Sequence, residues 1–149
     1  MSGLLASVCS VAEADIALRS SADIIDCKNP HRGALGALPP GEIARIVRHV
    51  RGKRPVSAAT GDLHEDPREL KYAVHVAADC GVDYIKFGLF EEDSAISKIR
   101  ALRDMTNVHK LIAVCFADRF DPRPLIPLLA ATGYHGVMID TADKRSGSL

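Results

Sequence analysis

Short apolar runs bounded by glycine, proline or a charged residue alternate along the chain with longer segments whose apolar positions recur every three or four residues. The runs read as strands at Leu4–Val8, Asp23–Lys28, Pro55–Thr60, Asp83–Leu89, Lys110–Phe116 and Gly136–Thr141. Between them, Val11–Ser21, Gly41–Val50, Arg68–Cys80, Ala95–Met105 and Pro124–Thr132 carry helical periodicity, as in Ile43, Ile46, Val47 and Val50. Ser94 suits the N-cap of the fourth of these helices, and Gly81 and Gly133 suit helix C-termini ahead of the next strand. Strand and helix in strict alternation, joined by short connections, make an α/β protein with a parallel sheet.

Charged residues fall where such a sheet binds ligands, at the C-terminal ends of its strands. Side chains two apart on a strand share a face, so Asp26 and Lys28 lie together on the second strand. Lys86 is on the fourth strand, Asp140 on the sixth, and Lys144 just beyond it. All belong to even-numbered strands, and in an eight-stranded barrel alternate strands feed the same interior layer. These groups would then converge at the barrel mouth. Crowded ammonium groups repel one another, which favours a neutral amine able to attack an aldehyde and form a Schiff base. A second amine or a carboxylate could move the α-proton of that imine, the chemistry of an aldolase. Plainer readings stay open: Lys86 as a solvated rim residue or ion-pair partner, Lys144 as part of the polar loop DKRSG, and Asp140 as a cap on its own turn.

Other chemistries find less support. None of the six histidines has a metal-ligand spacing, and His49 and His75 fall on helix faces. Gly33 and Gly36 shape a turn over the site rather than a phosphate loop. Asp62 and Asp118 follow the third and fifth strands, where helix capping is the first expectation. Cysteines 9, 27, 80 and 115 form no CxxC pair, and reduced, buried thiols are expected. Nineteen basic and nineteen acidic residues cancel, leaving no field to draw nucleic acid or an anionic membrane. The opening MSGLLASVCSV has no basic segment before its short apolar stretch and no run of about 18 apolar residues occurs, so a cytoplasmic protein is expected, and neither a cofactor nor a metal is expected.

The segment ADIIDCKNPHRGALGA resembles the second-strand signature of the (5-formylfuran-3-yl)methyl phosphate synthase family of methanofuran biosynthesis. LLASV, PVSAATGDL, DYIKFGL and VMIDTADK are similar to the family's other motifs, in order, so the resemblance runs over residues 4–149. It implies a TIM (β/α)8-type barrel, incomplete here at about six strand-helix units and forming a single domain over residues 1–149. It also implies a lyase that joins two glyceraldehyde 3-phosphate molecules, with Lys28 as the Schiff-base lysine and Lys86 as the proton acceptor. Asp26, Asp140 and Lys144 match the remaining polar positions. The family's chains run on through two further strands, and a full barrel takes about 250 residues. A six-stranded piece is therefore expected to expose two edges, to aggregate, self-associate or stay partly molten, and to hold phosphate poorly. The competing expectations are another phosphate-binding barrel aldolase or decarboxylase and a non-catalytic remnant. Asp26-x-Lys28 is also similar to the DxKxxD motif of the orotidine phosphate decarboxylase group, but His31 stands in place of the second aspartate.

Overall fold

The computed structural model describes residues 2–62 and 66–143. Its strands are β1 (Leu5–Val8), β2 (Ile24–Cys27), β3 (Val56–Ala59), β4 (Tyr84–Leu89), β5 (Lys110–Phe116) and β6 (Gly136–Asp140). They form one sheet in the order β1-β2-β3-β4-β5-β6, and every neighbouring pair is parallel. Each strand follows its sequence predecessor across the sheet with no reversal, the winding of a barrel rather than of a doubly wound sheet. The sheet must also curl. Four strand spacings of a flat sheet would put β2 and β6 roughly 19 Å apart, yet Lys28 Nζ at the end of β2 lies 4.0 Å from Asp140 Oδ2 on β6.

Helices α1 (Val11–Arg19), α2 (Pro40–Val50), α3 (Pro67–Asp79), α4 (Glu92–Ala101) and α5 (Ile126–Ala131) follow the first five strands. Local chemistry starts them. Ser10 accepts a hydrogen bond from the Glu13 N–H, satisfying one orphan amide of α1, and Glu13 Oε2 accepts from the Cys9 N–H just before the cap. Pro40 opens α2, where a missing N–H costs nothing, and Asp66 caps α3 by accepting from the Arg68 N–H at 2.8 Å. Gly81 and Gly133, at φ +81° and +86°, turn the chain out of α3 and α5 as expected. The fourth helix differs from expectation. It begins at Glu92 with Glu91 as its N-cap and no side-chain cap bond, while the Ser94 hydroxyl donates to the Glu91 carbonyl inside the first turn. It also stops at Ala101, and a 3-10 turn over Arg103–Asn107 carries the chain to β5.

Alternation divides the strand side chains between two compartments. Ile25, Cys27, Val56 and Ala58 face outward and pack beneath Ile43, Ile46 and Val50 of α2. Ile85, Phe87, Leu89, Leu111, Ala113 and Cys115 do the same against Leu70, Val74 and Ala77 of α3, Ala95 and Ile99 of α4, and Leu129 of α5. Inside the curl, Ala34, Leu35, Ala59, Val114 and Phe116 form a smaller cluster near the strand ends, with the Phe90 and Phe116 rings stacked at 4.2 Å. Among the described residues β1 and β6 each pair with one strand, and Val137 and Ile139 on the outer face of β6 are exposed.

Phe87 is fully buried in the outer core, with its ring centroid 5.6 Å from that of Tyr134. Phe87→Ala should lower unfolding free energy by about 3–5 kcal/mol, measured by chemical denaturation. A loss below about 1 kcal/mol would mean that the outer layer is not packed as described.

Candidate active site

Register brings the first part of the site together. Ser7, Asp26 and Ser57 are direct partners across β1, β2 and β3, and in-register residues of parallel neighbours point to the same side. All three face into the curl. The Asp26 carboxylate, with no solvent exposure, accepts from Ser57 Oγ at 2.6 Å on one oxygen and from Ser7 Oγ at 3.1 Å on the other. Lys86 Nζ reaches the second oxygen from two strands away, at 2.6 Å. Lys86 pairs in register with Ala59 rather than Ser57, so it approaches Asp26 from nearer the barrel mouth. Its side chain is 3% exposed. A buried charge survives only when paired and hydrogen-bonded, and each partner here supplies what the other needs.

The second part lies at the mouth. Lys28 follows β2 directly, and its side chain is mostly buried, at 11% exposure. Asp140 at the end of β6 turns one oxygen toward Lys28 Nζ and accepts from the Thr141 N–H with the other at 2.8 Å. It therefore serves both the ion pair and the turn. Lys28 opens on a cleft of about 640 Å³ lined also by Pro30, His31, Gly33, Ala34, Ala142 and Asp143. The Lys28 backbone carbonyl accepts from the Cys9 thiol at 3.3 Å, which ties the strand end to the loop after β1.

The structure thus gathers Asp26, Lys28, Lys86 and Asp140 from three even-numbered strands into one interior. Lys144 lies outside the described residues. The arrangement differs from the expected crowding of ammonium groups, because Lys28 and Lys86 each stand beside a carboxylate. Asp62 and Asp118 are not helix caps. Asp62 accepts from the backbone N–H groups of Ala34, at 2.9 Å, and Leu35 in the loop after β2. Asp118 accepts from the N–H groups of Ala142 and Asp143 after β6, at 2.8 and 3.0 Å, and these bonds hold its carboxyl below the usual carboxylate range, that of Asp143 first. Ser7 and Ser57 were missed in the sequence because only charged residues were followed. A serine in the fully buried strand β3 was the available signal.

The two buried cysteines offer no alternative nucleophile. All four are free, but only Cys27 and Cys115 are buried, fewer than expected. Burial pushes the Cys27 thiol up to about 12 and the Cys115 thiol up to about 11, so neither forms a thiolate near neutral pH. Among the described residues no group of acidic, histidine or cysteine side chains could hold a metal ion, and no helix is long and apolar enough to cross a membrane.

Residues 4–149 match the family model described as 4-HFC-P synthase. The chain is 38% identical to the (5-formylfuran-3-yl)methyl phosphate synthase of Methanosarcina barkeri, covering 95% of this chain and 65% of the relative. It is also 38% identical to the protein of that name from Archaeoglobus fulgidus, with 98% and 68% covered. The chain therefore spans just under two thirds of the length of the Methanosarcina relative. In structure it resembles a dihydrodipicolinate synthase from Acinetobacter baumannii, with a TM-score of 0.73 at 15% identity over 95% of this chain and 56% of that one. A dihydrodipicolinate synthase from Agrobacterium tumefaciens gives 0.65 at 16% identity, over 92% and 54%. At such identities the likeness speaks for the fold alone.

Removing one partner of the buried pair should be severe. Asp26→Ala strands the Lys86 ammonium and should cost about 3–5 kcal/mol, whereas Asp26→Leu combined with Lys86→Met should recover much of that loss. Denaturant midpoints of the three proteins test this. A single variant as stable as the parent would show that the pair is not formed.

Proposed function

Because the chain belongs to the 4-HFC-P synthase family, we propose that it supplies the imine-forming part of an enzyme of methanofuran biosynthesis. That enzyme condenses two glyceraldehyde 3-phosphate molecules into (5-formylfuran-3-yl)methyl phosphate, with loss of one phosphate and water. The observation that carries the reading is the different placement of the two lysines. Lys28 borders the open cleft beside Asp140, and Lys86 is almost fully buried against Asp26.

In this reading Asp140 takes a proton from Lys28, and the neutral Nζ adds to the aldehyde carbon of the first triose phosphate. The Lys86 ammonium gives a proton to the hydroxyl of the resulting carbinolamine, which leaves as water and yields the protonated imine. Lys86 is then neutral and removes the proton from the adjacent carbon. The C–H electrons become the enamine double bond, and the iminium π electrons return to nitrogen. The enamine carbon attacks the carbonyl carbon of the second triose phosphate as the nitrogen lone pair restores the iminium, and the carbonyl π electrons pass to its oxygen, which takes the proton held by Asp140. Asp26 keeps Lys86 in place through both transfers, and Ser7 and Ser57 keep Asp26 in place. A lysine that first donates and then accepts suits a site whose resting form is an ion pair.

Borohydride reduction of the intact protein with glyceraldehyde 3-phosphate should leave a mass adduct on Lys28. Label on Lys86 with Lys28 unmodified would sink the assignment. Lys28→Arg should remove turnover at unchanged fold, since a guanidinium stays protonated and is no nucleophile. Lys86→Ala should still trap the first aldehyde yet make at least 100-fold less furan product, a loss of roughly the size attributed to one proton-transfer group. Undiminished product from Lys86→Ala would leave that residue a purely structural role.

A further inference from the structure

The walls of the cleft are not parts of the strands that carry Lys28, Lys86 and Asp140. They are the loops after β2 and β6, and each is held by a carboxylate from a neighbouring odd-numbered strand. Asp62, after β3, reaches back to the N–H groups of Ala34 and Leu35. Asp118, after β5, reaches forward to those of Ala142 and Asp143. Ala34, Ala142 and Asp143 line the cleft that Lys28 enters. The fit around Asp62 is close: a Cβ on Gly33, whose φ is +102°, would lie 1.6 Å from Asp62 Oδ2. Leu35, 1% exposed, packs with Ala59, Val114 and Phe116 inside the curl. A Cβ on Gly88 would meet Leu35 Cδ1 at 2.9 Å and Phe90 Cε2 at 2.3 Å. The loop after β2 is thus seated over the interior, with its polar backbone turned to Asp62.

We infer that Asp62 and Asp118 are positioning residues that fix the two loops forming the substrate cleft, and so set how tightly an aldehyde is held beside Lys28. The inference rests on the proposed reaction and extends it to two residues whose described partners are backbone amides. Two N–H groups aimed at one carboxylate fix a loop in both direction and register, because each oxygen takes a separate donor. Asp26, Lys86 and Asp140 stand on strands, and Lys28, directly after β2, is held by its own N–H on the Val8 carbonyl, so these bonds do not carry them. Loss of a clamp should therefore weaken substrate capture more than the chemical steps.

The test uses the intact protein with Asp62→Ala and Asp118→Ala, and with Asp121→Ala as control, since among the described residues Asp121 accepts only from Arg123 in its own loop. Each clamp variant should raise KM for glyceraldehyde 3-phosphate about tenfold, with kcat changed less than about threefold. Hydrogen exchange should quicken at Ala34 and Leu35 in the first variant and at Ala142 and Asp143 in the second, and the control should match the parent. Were these carboxylates merely negative charges near the mouth, their removal would lower KM for an anionic substrate. A lowered or unchanged KM in both variants, with the parent active, overturns the clamp inference alone. A parent that yields no reduced adduct on Lys28 overturns the proposed reaction, and this inference with it. If an alanine variant fails to melt cooperatively, Asp62→Asn or Asp118→Asn, which keeps one accepting oxygen, carries the same comparison.

Discussion

A carboxylate with no exposure and an ammonium with almost none can share a barrel interior only by meeting each other at close range. The Asp26–Lys86 contact at 2.6 Å is that meeting, and much of the structure is arranged around it. It requires the sheet to curl, because the two residues stand on strands separated by β3. It requires hydroxyls at the neighbouring register positions, because a carboxylate has more acceptor capacity than one ammonium satisfies. Ser7 and Ser57 provide them. An apolar pair of similar volume would fill the same space with less desolvation cost. Stability alone therefore gives no reason for a polar pair at this position.

β2 is the hub of this arrangement. From one short strand and the residue after it come the partner of Lys86 on β4 and the partner of Asp140 on β6. The two contacts run inward across the curl at different depths, one almost fully buried and one at the mouth. That difference in depth separates the proposed roles, since the outer amine can reach a ligand in the cleft and the inner one can serve it only by exchanging protons.

Most of this was legible in the sequence, for reasons that explain the exceptions. The strands were found within a residue or two because buried parallel strands are short apolar runs between helices, as Lys110–Phe116 shows. The convergence of Asp26, Lys86 and Asp140 followed from strand parity, a property of barrels that needs no contact information. The family resemblance named the same residues and is matched by the family model over residues 4–149. Helix starts were harder: Ser94 is a good capping residue, but α4 begins two residues earlier without a side-chain cap. The roles of Asp62 and Asp118 were hidden because their partners are backbone amides 27 and 28 residues back or 24 and 25 ahead. Backbone donors leave no trace in residue identity, so an aspartate after a strand reads as a cap until the loop it holds is seen.

The sequence distance across the buried pair has a meaning for the birth of the protein on the ribosome. Asp26 precedes Lys86 by 60 residues. At roughly 5–20 residues per second, several seconds pass between the emergence of the two. In that interval β1, β2 and β3 can pair, and Ser7 and Ser57 can already reach the carboxylate, but its charge has no counter-ion on β4. Water or the Lys28 ammonium on the same face has to fill that role, so the nascent half-curl keeps a charged inner face until the fourth strand docks. The outer face, where Ile25 and Val56 meet α2, carries no such condition and can close first.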